Sequence, residues 1–143
     1  MKYLILMVVL FALAFTAFAG EPPHDASDIQ GTWLPTEAVL GGEPMKDDFL
    51  TNTVLKLDHG KYEVTVSGAS DKGTYTIDSA IKPKTLDITG TEGPNAGRKI
   101  PAIYELRGDT LRICYGLGGS ARPSEFNSPP GTKFFLVTYH RKK

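Results

Sequence analysis

With 143 residues, a single cysteine and 16 basic against 16 acidic side chains, the chain has the length of one domain with a sizeable core and no means of forming an internal disulfide. The balanced charge gives no basic footprint for nucleic acid or for an anionic membrane. Arg141-Lys142-Lys143 is a charge run at a chain terminus, where a solvated tail is the ordinary state.

Lys2, the apolar run from Leu4 to Phe15 and the small-x-small triplet Ala17-Phe18-Ala19 together read as a secretory signal peptide over residues 1–19. Cleavage after Ala19 puts the mature chain outside the cytoplasm, periplasmic or secreted, with no membrane span left. The alternative is a retained anchor, because the apolar run nearly reaches the ~17-residue lower limit of a spanning helix. Residues 20–28, with Pro22 and Pro23, read as a flexible lead-in, and residues 29–143 as one barrel domain.

From there, short alternating apolar and polar runs end at Gly, Asp or Pro turns. The fold class they predict is all-β: an antiparallel, up-and-down, eight-stranded β-barrel with at most one short helical turn. Gly31-Thr32-Trp33 opens the first strand, which runs towards Leu40 and is broken by Gly41-Gly42-Glu43-Pro44; Lys46 to Leu50 is the candidate helical turn. A two-residue turn at His59-Gly60 pairs Leu57 with Tyr62, Lys56 with Glu63 and Leu55 with Val64. The same reading at Gly108-Asp109 pairs Leu106 with Leu111, Glu105 with Arg112, Tyr104 with Ile113 and Ile103 with Cys114. Apolar meets apolar and charge meets opposite charge in both hairpins, a match that a one-residue slip would destroy. Parity places Tyr75 and Ile77 of the run 72–78 inward, Leu86 and Ile88 of 84–89, and Phe135, Val137 and Tyr139 of 133–140. Phe134 and Leu136 make the opposite face of the last strand apolar too. That face calls for cover from the 46–50 turn or from the long Gly- and Pro-rich loop between Leu117 and Thr132.

Several short motifs carry a resemblance. Gly31-Thr32-Trp33 resembles the Gly-x-Trp motif of lipocalins. The set Gln30-Gly31-Thr32-Trp33, Lys82-Pro83-Lys84-Thr85-Leu86-Asp87-Ile88, Ile103-Tyr104-Glu105-Leu106, Gly108-Asp109-Thr110-Leu111-Arg112-Ile113-Cys114 and Arg122-Pro123-Ser124-Glu125-Phe126 is similar to a family of small exported lipocalin-like domains of planctomycete bacteria that has no assigned biochemical function. The resemblance implies a barrel whose motif tryptophan, Trp33, closes one end against a basic side chain near the last strand, for which Arg141 is the positional candidate.

No catalytic signature emerges. The three histidines, His24, His59 and His140, have no metal-ligand spacing to one another, to Cys114 or to a carboxylate, and no nucleophile elbow is present. Neither a metal nor a cofactor is expected, and the chain reads as a non-enzyme. Cys114, opposite Ile103, reads as a small apolar packing residue. Strict alternation from Trp33 sends Glu37 inward, where a carboxylate would meet a ligand's cationic or hydroxyl group; a bulge at Pro35 would turn it to solvent instead. Arg122 and Glu125 either fold the long loop by ion pairing or guard the barrel mouth.

The leading expectation is a barrel that takes a small apolar ligand, lined by Trp33, Glu37, Tyr62, Val64, Tyr75, Ile77, Tyr104, Ile113 and Tyr115. The tyrosine hydroxyls in that lining need partners once buried. The second expectation is a barrel filled by its own side chains that meets another envelope protein through the Phe134/Leu136 face. Inward positions are mostly large, which points to a small cavity or none.

Overall fold

The computed structural model describes residues 24–143; the proposed signal segment, 1–19, and the start of the lead-in lie outside them. Nine strands form one antiparallel sheet: β1 (Gly31–Leu40), β2 (Glu43–Pro44), β3 (Thr53–Asp58), β4 (Lys61–Val66), β5 (Ala69–Asp78), β6 (Thr85–Glu92), β7 (Lys99–Arg107), β8 (Thr110–Gly116) and β9 (Phe134–Arg141). The two-residue β2 is only a flap on β1. The other strands pair with their successors, and β9 returns to β1, closing an up-and-down barrel of eight strands. Closure gives each of the eight main strands a partner on both sides, although β1 and β3 meet only over Gly31–Trp33.

Both hairpin registers expected from charge and apolar matching are present: Leu57 faces Tyr62 and Lys56 faces Glu63, while Glu105 faces Arg112 and Ile103 faces Cys114. At the first turn His59 (φ 45°) and Gly60 (φ 78°) both take left-handed backbone, the arrangement whose twist suits a two-residue hairpin. Two strands outrun the sequence reading. β5 begins at Ala69 because its first residues pair with β4, and β6 reaches Glu92 because a register shift at Lys72/Gly73 lets polar residues continue the ladder with β5. The alternation of β1 is broken between Pro35 and Glu37, where Thr36 is the extra residue. Its hydroxyl donates to the Thr138 carbonyl at 3.2 Å. The bulge exchanges the two faces, so that Ala38 is buried and Glu37 is exposed; the inward placement of Glu37 is thereby corrected, since a bulge at a proline resets parity for everything after it.

Up-and-down winding sends the connections alternately to the two ends of the barrel, and the ends differ. At one, Asp25–Asp28 forms a helical turn, α1, in place of a flexible lead-in. A helix of four residues has no stability of its own and is held here from the barrel. Ile29 is fully buried and its carbonyl accepts the Trp33 indole N–H at 2.9 Å. Arg141 lies over the Trp33 ring at 4.3 Å and donates to the carbonyls of Asp28 and Gln30, both at 2.6 Å, and to the Asp109 carboxylate at 3.1 Å. Asp25, also buried, accepts from Lys84 Nζ and from the Tyr104 hydroxyl, each at 2.7 Å. Trp33 thus closes this end against Arg141.

At the other end the second helix, α2 (Asp47–Thr51), sits over the mouth. Phe49 meets Phe135 edge to face at 5.8 Å. The loop after β8 runs down the outside instead. Arg122 ties it to β6 and β7, donating to the Ala102 carbonyl at 2.8 Å and to Asp87 at 2.6 Å; Glu125 is exposed and forms no ion pair with it. Further on, the Asn127 carbonyl accepts from Cys114 Sγ at 3.5 Å and Ser128 binds the Phe134 carbonyl at 2.7 Å. Cys114 is fully buried there, and burial pushes its thiol pKa up.

Two variants test the closed end. Gly31 has φ 144°, and a Cβ there would fall 2.7 Å from Arg141 Nη1, which cannot retreat without leaving the Gln30 carbonyl. Gly31→Ala is expected to cost about 2 kcal/mol of unfolding free energy in urea; a neutral effect would contradict the clamp. For Asp25, burial works against ionisation, but the hydrogen bonds from Lys84 and Tyr104 and the Lys84 and Lys82 charges outweigh it and hold the carboxyl below its ordinary range. Its contribution is therefore complete above the unfolded value of about 3.9 and is lost as pH falls through the lower folded value. Asp25→Asn is expected to be less stable than wild type by about 2 kcal/mol at neutral pH, and the difference should shrink as denaturation is repeated at progressively more acid pH.

Candidate functional site

The barrel interior is divided by side-chain size. Towards α1 it is solid: Trp33, Tyr104, Leu86, Leu111 and Ile113 are fully buried and packed on one another. Towards α2 a cavity of about 220 Å³ remains, walled by Leu55, Val64, Val66, Ile88, Ile100 and Leu117, with Phe49 and Phe135 at the mouth. A larger hollow of about 460 Å³ lies outside the barrel on β3–β6, among Lys56, Lys61, Glu63, Lys72 and Glu92. Apart from Tyr62 and Gly73 it is formed by polar, mostly outward positions of those strands and has the mixed charge expected of them. The interior cavity is the candidate site, because apolar walls with a few convergent polar groups are what a small-molecule site requires.

Its polar groups come in two sets. Tyr62 on β4 donates to Asp71 Oδ2 at 3.0 Å, and Asn95, from the turn between β6 and β7, donates its backbone N–H to Asp71 Oδ1 at 2.9 Å and its side-chain amide to Oδ2 at 2.8 Å. Asp71 is only 6 % exposed. The turn can lie this close because Gly93, at φ 89°, has no side chain; a Cβ would fall 2.5 Å from the Ser70 carbonyl and 2.9 Å from Asp71 Cα. The second set is Tyr115 on β8 and Tyr139 on β9, whose hydroxyls stand 3.0 Å apart. Burial pushes the phenol pKa values of Tyr115, Tyr139 and Tyr62 up, the Asp71 carboxylate adding to the effect at Tyr62. All three remain neutral hydroxyls across the physiological range.

The residues expected to line a ligand cup fall into four groups. Tyr62, Val64 and Tyr115 line the cavity. Trp33, Tyr104 and Ile113 belong to the packed half, and Tyr75 and Ile77 pack in or against the core without reaching the cavity. Glu37 is outside the barrel altogether. Tyr62, Tyr104 and Tyr115 have found hydroxyl partners within the protein, namely Asp71, Asp25 and Tyr139.

Three important residues went unread. Asp71 shares parity with Tyr75 and Ile77 and becomes visible once the strand is extended by one residue before Lys72. Phe49 lies in the 46–50 turn, expected as one of two possible covers for the Phe134/Leu136 face; it packs on Phe135 of the inner face instead. Asn95 sits in an irregular turn with no periodic signal to reveal it. Among the described residues, no three His, Cys, Asp or Glu side chains come together as a metal site.

No protein-family model and no curated protein sequence matches the chain. Among solved structures, the crystal structure of a DUF4847 family protein from Bacteroides vulgatus is similar, with a TM-score of 0.52 and 16 % sequence identity over 85 % of this chain and 99 % of that one. At that identity the likeness extends to the fold: the small closed barrel recurs in a chain of very different sequence.

Proposed function

We propose that the protein binds a small, mainly apolar molecule in the α2 end of its barrel. The observation that carries this reading is the 220 Å³ apolar-walled cavity beside a buried, hydrogen-bonded carboxylate. An engineered apolar cavity of about 150 Å³ takes up benzene, so a single ring with a short substituent matches the space. Drug-sized pockets begin at about 300 Å³, which argues against retinoid- or long-chain-sized ligands in this conformation.

The lipocalin-like reading belongs to the same proposal. A motif tryptophan stacked under an arginine from the last strand, at 4.3 Å, is what that resemblance implies, and a ligand cup at the opposite end completes the pattern. Export to an extracytoplasmic compartment follows from the signal-like segment 1–19, and would expose the barrel to small molecules of the cell envelope. We read the role as binding rather than catalysis: no Ser, Cys, Lys or His lines the cavity, and burial together with the Asp71 carboxylate pushes the Tyr62 hydroxyl away from the ionised form a nucleophile needs. The competing reading, contact with an envelope protein through Phe134 and Leu136, is less well supported, because both residues are half-buried and the loop crosses that side of the barrel.

A panel of small neutral aromatics and short alcohols, titrated against the 20–143 protein and followed by NMR, tests the proposal. At least one compound is expected to shift the Val64 and Leu117 methyl signals saturably. Val64→Trp, which fills the space, should weaken that binding by about tenfold or more while the circular dichroism of the barrel persists. Absence of saturable shifts across the panel, or equal affinity in the filled variant, would rule the cavity out as a binding site.

A further inference from the structure

The cavity carries an unbalanced charge. Asp71 is the one ionisable carboxyl on its wall, and no Lys, Arg or His side chain shares that wall. None of the ion pairs among the described residues involves it. Its partners, Tyr62 and Asn95, are neutral donors that solvate and orient the carboxylate without cancelling its charge. A carboxylate accepts about four hydrogen bonds and Asp71 receives three, so acceptor capacity remains.

The surroundings suit a cation more than any neutral donor. Phe49, Tyr62, Tyr115, Phe135 and Tyr139 bring five aromatic rings to one small cavity, and ring faces attract ammonium groups with a strength that grows on desolvation. Tyr115 and Tyr139 share a single hydrogen bond, which leaves hydroxyl lone pairs for the remaining N–H donors of such a group. A buried charge without a counter-charge is costly, and a ligand that brings the missing positive charge relieves that cost. An anionic ligand would meet repulsion at the same point.

We infer that the ligand of this barrel is a small organic amine, an ammonium group on a compact apolar or aromatic body, with the ammonium held by Asp71 and the body between Val64, Ile100 and Leu117. This rests on the cavity being a binding site and adds the chemistry that selects the ligand. Asn95 and Tyr62 act as positioning residues that aim the carboxylate.

Three compounds of nearly equal shape separate the possibilities: phenethylamine, 2-phenylethanol and 3-phenylpropionate, measured against the 20–143 protein by calorimetry at neutral pH. The amine is expected to bind at least about tenfold more tightly than the alcohol, with the carboxylate weakest. In Asp71→Asn the amine's advantage should fall to within about threefold of the alcohol, whose own affinity should change by less than that. Equal affinity for amine and alcohol in the wild type, or preference for the carboxylate, overturns the inference and leaves the cavity reading standing. A full amine preference retained in Asp71→Asn overturns it as well. Failure of all three compounds to bind counts against the cavity itself. The wild-type ranking decides the matter even if the variant does not fold.

Discussion

Arg141 joins the two ends of the chain's fold. Its backbone is in the last strand, opposite Trp33 on the first, so it lies on the seam where an open sheet becomes a barrel. From there one planar guanidinium stacks on the indole, donates to the carbonyls of Asp28 and Gln30 and pairs with Asp109. A guanidinium's fixed fork of donors suits this task in a way a lysine ammonium would not. The two carbonyls it satisfies belong to the segment from α1 to β1, which it thereby ties to the last strand. Barrel closure, the placement of the N-terminal turn and the burial of Trp33 are therefore one arrangement, and Gly31 is the residue whose missing side chain makes room for it.

The consequence for function is positional. Filling one half of the barrel with Trp33, Tyr104 and the aliphatic residues around them confines free volume to the half beneath α2. There the chain does the opposite of packing: strands β4 and β5 bring Tyr62 and Asp71 together, and a turn stripped of side chain at Gly93 lets Asn95 reach over the barrel rim to the same carboxylate. A carboxylate buried in this way, oriented by neutral donors and left without a cation, is expensive for a scaffold. In the function proposed above, it is the group that recognises the ligand.

Much of this was legible in the residues. The hairpins at His59-Gly60 and Gly108-Asp109 could be read because charge and apolar matches fix their register, and Trp33 and Arg141 because a motif and a position near the last strand pointed to them. Glu37 could not be placed: alternation holds only while the ladder is regular, and the bulge at Thr36 depends on how Pro35, lacking an N–H, meets Tyr139 across the seam. The cavity itself was hidden for a related reason. Inward-facing residues can be counted from parity, but whether large side chains interdigitate or leave a gap depends on barrel tilt and stagger, which no strand encodes alone. Asn95 reaches its partner from an aperiodic turn, so its role exists only in three dimensions.

The central claim is that the barrel is solid around Trp33 and hollow around Val64. Xenon, which enters apolar cavities without needing polar recognition, tests it directly in crystals of the 20–143 protein held under xenon pressure. The account predicts one xenon site in contact with Val64, Ile88 and Ile100 and none within the Trp33, Tyr104 and Ile113 cluster; xenon lodged in that cluster, or an empty Val64 end, would contradict it.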